Sequence, residues 1–595
     1  MLAKKIGLLS LLLFYFALSK AQELPAERQV DWSLAGLKDT TTTNFSIVDL
    51  SNFGINGNGI SPNDQVLNTV LSQYENSSGV IIKFPKGSFV FNQPITLPSN
   101  TVLTGEGANS TQLIFDLGGT DHAITVAGSA NASNASLLTA TATKDQTFLQ
   151  IENSSSFQVG DWIKVNQRDS DLVTDAWAEG KVGQIVQIEN ISNNRIFLSS
   201  PLRRSYLLSN NPIIRQFLPV ENVGISCLKI ERRDNTAPMQ ASNIIFRYAV
   251  NSWVSAIESM NCTFSHIEAR FSSNLKIEKS YLHDAFEFGG GGRGYGVMVH
   301  LMSNEVLVEN NVFERLRHSM ILQAGANGNV LAYNYSFDPY WTSFPADAAG
   351  DIVLHGNYIY ANLFEQNIVQ NIVIDNSHGP NGPNNTFLRN RGESFGIFFS
   401  ANNSPGQNFI ANEVTNSNAP YSLVNYTIQG NDHFIVANNN KGTVDPKGSI
   451  APDIKSFYYR QRPDFLSSAE YGNIGLPNPF NSGTNPAFDR MQVNNPFLNS
   501  CGQIITSVAD IEKQENKIDL FPNPAQDQIK IESNKIIQKV KLYDLSGKLI
   551  GEQSFNNKIV EFDLTNLHQG IYFIKIQLEN KFQVLERVVK LSTKK

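Results

Sequence analysis

The sequence predicts an all-β chain whose central part winds as a coil of parallel strands. Three observations carry this. Apolar residues alternate up to an Asn in a motif that returns every 20–30 residues. No helical pattern separates these strands between residues 220 and 440, which excludes a βαβ sheet. Gly, Asn and Ser fill the gaps.

The recurring Asn residues are Asn310, Asn334, Asn367, Asn390, Asn412 and Asn438, at steps of 24, 33, 23, 22 and 26. In a coil, equivalent residues stack about 4.8 Å apart. A column of Asn side chains then satisfies itself, each amide donating to the next carbonyl. The expected place for it is a sharp bend, with Asn itself in the left-handed conformation. The 33-residue step requires a loop insertion.

The other elements follow in order. In "MLAKKIGLLSLLLFYFALSKAQ", Lys4 and Lys5, an apolar run over 6–18 and Ser19-Lys20-Ala21 read as a signal peptide, 1–21. That run is short for a membrane span, and no later segment looks transmembrane. "SPNDQVLNTVLSQYEN" (61–76) predicts an amphipathic helix with Ser61 as cap, Pro62 in its first turn and Leu67, Val70, Leu71 and Tyr74 on one stripe. Its task is to cover the first turn of the coil. Residues 145–215 read as a small antiparallel β insertion, and 450–500 as loops folding back over the coil. The coil domain spans 22–500 and a linker 501–516. Residues 517–595 are short alternating strands separated by turns, predicting a small Ig-like β-sandwich.

Composition bounds the function. The net charge of −7 lacks the basic excess of a nucleic-acid binder. Three cysteines cannot build a disulfide scaffold. Cys227 and Cys262 can meet on neighbouring turns or stay as buried thiols, and the odd count leaves at least one thiol free. No CxxC or HExxH spacing points to zinc.

Two resemblances add to this reading. Pro522-Asn523-Pro524, "LYDLSGK" (542–548), "GIYFIKI" (570–576) and "VVKL" (588–591) resemble the type IX secretion C-terminal sorting domain of the Bacteroidetes group. This implies the type IX machinery as partner, passage through periplasm and outer membrane, and a secreted or surface-attached product. "VDWSLAGL" (30–37), the capping helix, "FPKGSF" (84–89) and "TVLTGEG" (101–107) resemble the pectate-lyase-like superfamily, in the branch related to glycoside hydrolase family 28. This implies a right-handed parallel β-helix and a polysaccharide substrate. It also makes Ca²⁺ a possible cofactor, with no ligands identified and no EF-hand-like motif present. The chain lacks that branch's Asp-Asp pair, Gly-His-Gly and Arg-x-Lys. No catalytic residue carries over by motif.

The chemistry is expected between residues 283 and 393. This stretch holds five of the nine histidines and Arg293, Arg315, Arg317, Arg389 and Arg391, with no lysine. β-Elimination on a uronic-acid sugar needs a base for the C5 proton and a cation for the adjacent carboxylate. Hydrolysis needs two carboxyl groups astride the bond. The missing hydrolase aspartates and the abundance of Arg and His favour elimination. His318 is the expected base, with Asp351, His355, Asp375 and His378 as further catalytic candidates. Arg293, Tyr295, Arg315, Arg317, Arg389 and Arg391 are the substrate-binding candidates. Both His318 and Asp375 stand eight residues after a column Asn, which suggests equivalent places. A polygalacturonase-like hydrolase and a non-catalytic glycan-binding surface protein are the alternatives.

Overall fold

A computed structural model describes residues 23–38, 45–75, 77–234, 240–419, 428–466, 471–493, 501, 518–522, 525–544, 548–579 and 583–590. The expected signal peptide, and the linker beyond Cys501, lie outside the described residues. The chain divides into two units, one running to Gly502 and the other formed mainly by Gln503–Lys595.

In the first unit, parallel strands stack on three faces. The first face runs from Ser46–Asp49 through Val80–Lys83, Thr101–Thr104 and Gly224–Ser226 up to Phe434–Val436. The second carries Thr111–Phe115, Lys229–Arg232, Glu258–Cys262, Tyr281–Ala285 and Val312–Glu314. The third carries Ile244–Arg247, Ser265–Arg270, Tyr295–His300, His318–Gln323 and Ile352–His355. Ile368–Asp375 joins the last two faces, because Ile368 pairs with Tyr335 and Ile372 with Ile352. Alternation sends every second residue inward. Val308, Leu331, Phe364, Phe387 and Phe409 form one such inner column, with Phe364, Phe387 and Phe409 stacked at 4.7 and 5.0 Å.

The Asn column is present, with its first rung shifted. Asn311, not Asn310, donates to Asn334 Oδ1 at 3.0 Å, and the chain continues through Asn367, Asn390 and Asn412 to Asn438. Asn310 is the left-handed residue before the rung, and Arg490 donates to its side chain. The same holds throughout: Tyr333, Gln366, Arg389, Ala411 and Ala437 take φ of 52–57°, and the ladder Asn follows them. The left-handed position therefore belongs to the preceding residue. A second column, Asn329, Asn362, Asn385 and Gln407, lines the other end of the first face.

The capping helix covers Asp64–Tyr74, beginning later than the sequence suggested. Ser61 and Pro62 belong to a strand, and Asn63 is the N-cap; its side chain instead accepts from Asn56 N. Leu67, Val70 and Leu71 are buried in the coil's core.

The insertion is larger than expected. Six antiparallel strands run from Ser129 to Leu218 around Leu149, Ile163, Val186, Ile196 and Ile214. Its first strand, SANASNASL, has too little apolar alternation to be read as one. The insertion docks on the coil through a buried Arg203–Glu305 pair at 2.7 Å and Asn327 Nδ2 donating to Gly183 O at 2.9 Å.

Residues 450–466 and 471–493 fold back over the first face. Tyr459 donates to Glu309, Ser456 donates to Glu365, and Tyr458 donates to Ala35 O. The Cys227–Cys262 pairing is not formed: Cys227 bonds Cys501, and Cys262 is a buried free thiol. In the second unit, the strand Gln528–Tyr543 changes neighbours along its length. Residues 530–533 pair with Ile518–Phe521, and 537–543 pair with Gly570–Leu578. Ile529, Ile531, Val540, Leu542, Phe562, Ile574 and Ile576 close one core, giving the expected small antiparallel sandwich.

Candidate active site on the third face

The outer surface of the third face gathers the site. Tyr295 and His318 are register partners on adjacent turns, and their rings lie 5.1 Å apart. His318 Nδ1 donates to Gly350 O at 2.9 Å, leaving Nε2 as the acceptor. Burial, helped by the charge of Arg317, pushes the His318 pKa down to about 3, so the ring is neutral.

One turn further, His355 pairs with Asp375. They are register partners, and Nδ1 donates to Asp375 Oδ2 at 2.5 Å. Burial alone would raise the Asp375 pKa, but the hydrogen bond and charge of His355 outweigh it and hold the carboxylate well below its usual range. The His355 ring lies 6.0 Å from His318 and 4.8 Å from His378. His378 donates to Asp175 Oδ2 at 2.7 Å and meets the Trp177 ring at 5.8 Å.

Asp175 and Trp177 come from the insertion, 203 residues before His378 in the case of Asp175. Asn357 of the coil fixes them, accepting from Thr174 N at 2.9 Å and donating to Asp175 at 2.8 Å. Burial is the largest single influence on the Asp175 carboxyl and raises its pKa, yet the hydrogen bonds from Asn357 and His378 and the charge of His378 together leave it lowered overall. Nothing in the spacing of the sequence ties the insertion to this face.

Arg317 flanks the cluster on the other side. Its guanidinium lies 5.9 Å from the Tyr295 ring and 5.8 Å from that of Trp341. Nη1 donates to Gly289 O in the glycine-rich loop at 2.5 Å, and the buried Nε has no hydrogen-bond partner. Among the described residues no carboxylate pairs with Arg317.

The remaining candidates lie elsewhere. Asp351 is buried beneath the strands, accepting from Ser336 at 2.5 Å and from the backbone of Gln370 and Asn371. Burial pushes its pKa up to about 7 against these bonds. Arg293 is held by Glu287, and Arg315 faces Asp284 at 3.8 Å on the second-face side. Arg389 is buried and donates to the carbonyls of Ile454, Ile474 and Leu476, so it anchors the folded-back segment. Arg391 is buried against Glu413 at 3.0 Å. His318 and Asp375 are not equivalent either. Met320 aligns with Ile352 and Ile352 with Ile372, so His318 precedes this row by two places and Asp375 follows it by three. Among the described residues no group of three or more His, Cys, Asp or Glu is arranged to hold a metal ion.

Comparison with known proteins agrees with this architecture. Residues 47–197 match the family described as rhamnogalacturonase A/epimerase, pectate lyase-like, and residues 519–591 match the secretion system C-terminal sorting domain. No curated protein matches the chain in sequence. Among solved structures, the tailspike gp49 of Pseudomonas phage LKA1 is similar at 13% identity and TM-score 0.40, over 66% of this chain and 78% of the tailspike. An exopolygalacturonase of Thermotoga maritima is similar at 10% identity and TM-score 0.35, over 68% and 90%. The A-module of the mannuronan C-5 epimerase AlgE6 of Azotobacter vinelandii is similar at 12% identity and TM-score 0.31, over 67% and 98%. The first unit is a parallel β-helix by its own strand pairing, and part of it, residues 47–197, matches the pectate-lyase-like family model. The second is a type IX sorting domain, which directs the chain to the cell surface or beyond it.

Proposed function

We propose that the protein is an exported polysaccharide lyase that cleaves a uronic-acid-containing glycan by β-elimination. The observation that carries this reading is the His355–Asp375 pair, set beside neutral His318 and the uncompensated Arg317 on one outer face. Asp375 fixes the His355 tautomer with the proton on Nδ1 and supports positive charge on the ring, leaving Nε2 to accept a proton.

In the reaction, His355 Nε2 takes the C5 proton of the uronate. The electron pair forms the C4–C5 double bond, the C4–O bond breaks, and the departing oxygen takes a proton from water. Charge developing on the substrate carboxylate is met by Arg317, whose fork is preset between two aromatic rings. His318 lines the site as a neutral acceptor for a sugar hydroxyl. This assigns the base role to His355 rather than to His318. A ring whose conjugate acid has a pKa near 3 is a weak base, whereas His355 has a carboxylate on Nδ1 that holds its tautomer and orients Nε2 outward from the pair.

A hydrolase would need a carboxylic acid facing the bond. Asp375 is held ionised and Asp351 is buried away from the surface, which favours elimination. The test is turnover of a panel of uronic-acid polymers, following both the absorbance of the new double bond and reducing ends. Absorbance with matching reducing ends is expected. Reducing ends without absorbance would mean hydrolysis, and affinity without either would mean a binding protein.

A further inference from the structure

A second feature lies on the same edge of the coil, where the insertion meets the turns before the catalytic cluster. Tyr248 and Phe271 follow successive third-face strands, Ile244–Arg247 and Ser265–Arg270. Their rings stack at 5.0 Å and 6°. Lys164 of the insertion sits 5.0 Å from the Tyr248 ring and 5.3 Å from Phe271, and Lys181 sits 5.7 Å from Phe271. Lys164 and Arg215 are direct register partners on antiparallel strands. Like charges so placed repel. Among the described residues none of Lys164, Lys181 and Arg215 pairs with a carboxylate. Lys164 responds as an uncompensated cation does: burial first, then Lys181 and Arg215, lower its pKa to about 8.

We propose that this cationic, aromatic platform is a distal subsite for a carboxylate-bearing sugar of the polysaccharide. The three cations receive the carboxylate, and the exposed edges of the stacked rings pack against the sugar's apolar CH face. Phe271 precedes His355 by three turns of the third face, about 15 Å at one strand spacing per turn. A chain of several sugars lying along the coil axis can therefore reach both places. The substrate class rests on the elimination reading, but the subsite itself does not require turnover.

The test is calorimetric binding in the full chain carrying His355→Ala, so that no probe is consumed. Polygalacturonate and alginate serve as carboxylate probes, dextran sulfate as the sulfate probe and dextran as the neutral one. A carboxylate polymer is expected to bind, more weakly as salt rises, and Lys164→Gln with Lys181→Gln is expected to weaken it roughly tenfold or more. Should the double variant not fold, Arg215→Gln alone carries the same expectation, scaled to one contact. Affinity unchanged by these variants overturns the subsite, as does equal binding of dextran. Binding of dextran sulfate alone overturns the carboxylate assignment. Absence of turnover of every polymer by the wild-type chain, with the platform still binding, would remove the elimination reading and leave the subsite standing.

Discussion

Replacing Asn367 with Ala removes one rung from the middle of the ladder. Asn367 Oδ1 accepts from Asn334 N at 3.0 Å and from Asn334 Nδ2 at 2.9 Å. Its Nδ2 donates to Leu331 O at 2.8 Å and to Asn390 Oδ1 at 2.9 Å. The two sides differ in cost. Asn390 Oδ1 keeps the Asn367 backbone N–H at 3.1 Å, so each acceptor side loses about 0.5–1 kcal/mol. The fully buried Asn334 loses the only acceptor of its backbone N–H and one of the two acceptors of its Nδ2. Each stranded N–H costs about 1–3 kcal/mol. The total is about 3–8 kcal/mol. All five tryptophans, Trp32, Trp162, Trp177, Trp253 and Trp341, lie in the first unit, so urea unfolding followed by tryptophan fluorescence reports the coil without the tail. Exposed Asn402, changed to Ala, serves as the control and should move stability by less than about 0.5 kcal/mol. A loss below about 1 kcal/mol for Asn367→Ala would refute the view that the column holds the bend.

Three further outcomes follow from the same geometry. Lys164→Gln should stabilise the coil by about 1–2 kcal/mol at pH 7, after allowing for its partial exposure. Its folded pKa lies below the unfolded one, so the penalty is full below about pH 8 and fades as pH rises toward 10.5; thermal melts of both proteins at pH 7 and pH 10 check this. Cys227→Ala should cost about 2–5 kcal/mol, because the bond closes a separation of 274 residues, and reductant should lower the wild-type melt alike; a titration giving three free thiols would contradict it. Arg389→Ala should lose about 3–5 kcal/mol of stability, whereas Arg317→Ala should keep the melt and cut turnover about a hundredfold, read by unfolding and initial rates.

The coil could be read from the sequence because its ladder needs one residue type at near-constant spacing, and six matching frames are hard to miss. The first rung could not be placed, since "ENN" offers two asparagines and only the left-handed bend decides between Asn310 and Asn311. The same bend explains Arg389. Period-two reasoning puts it beside Arg391 on one face, but a left-handed residue breaks the alternation and turns the side chain into the folded-back segment. His355 and Asp375 are both among the sequence candidates, but their pairing comes from the register of adjacent third-face strands, which spacing in the sequence does not give. Asp175 and the Cys227–Cys501 bond depend on contacts between segments about 200 or more residues apart, for which one sequence carries no periodic signal.

The most direct trial of the catalytic claim compares His355→Ala and Asp375→Asn with wild type on whichever uronic-acid polymer yields unsaturated product. Double-bond formation should fall at least about a hundredfold in both variants, while folding and polymer affinity stay near wild type. Wild-type rates in either variant would contradict the assignment of His355 as the base.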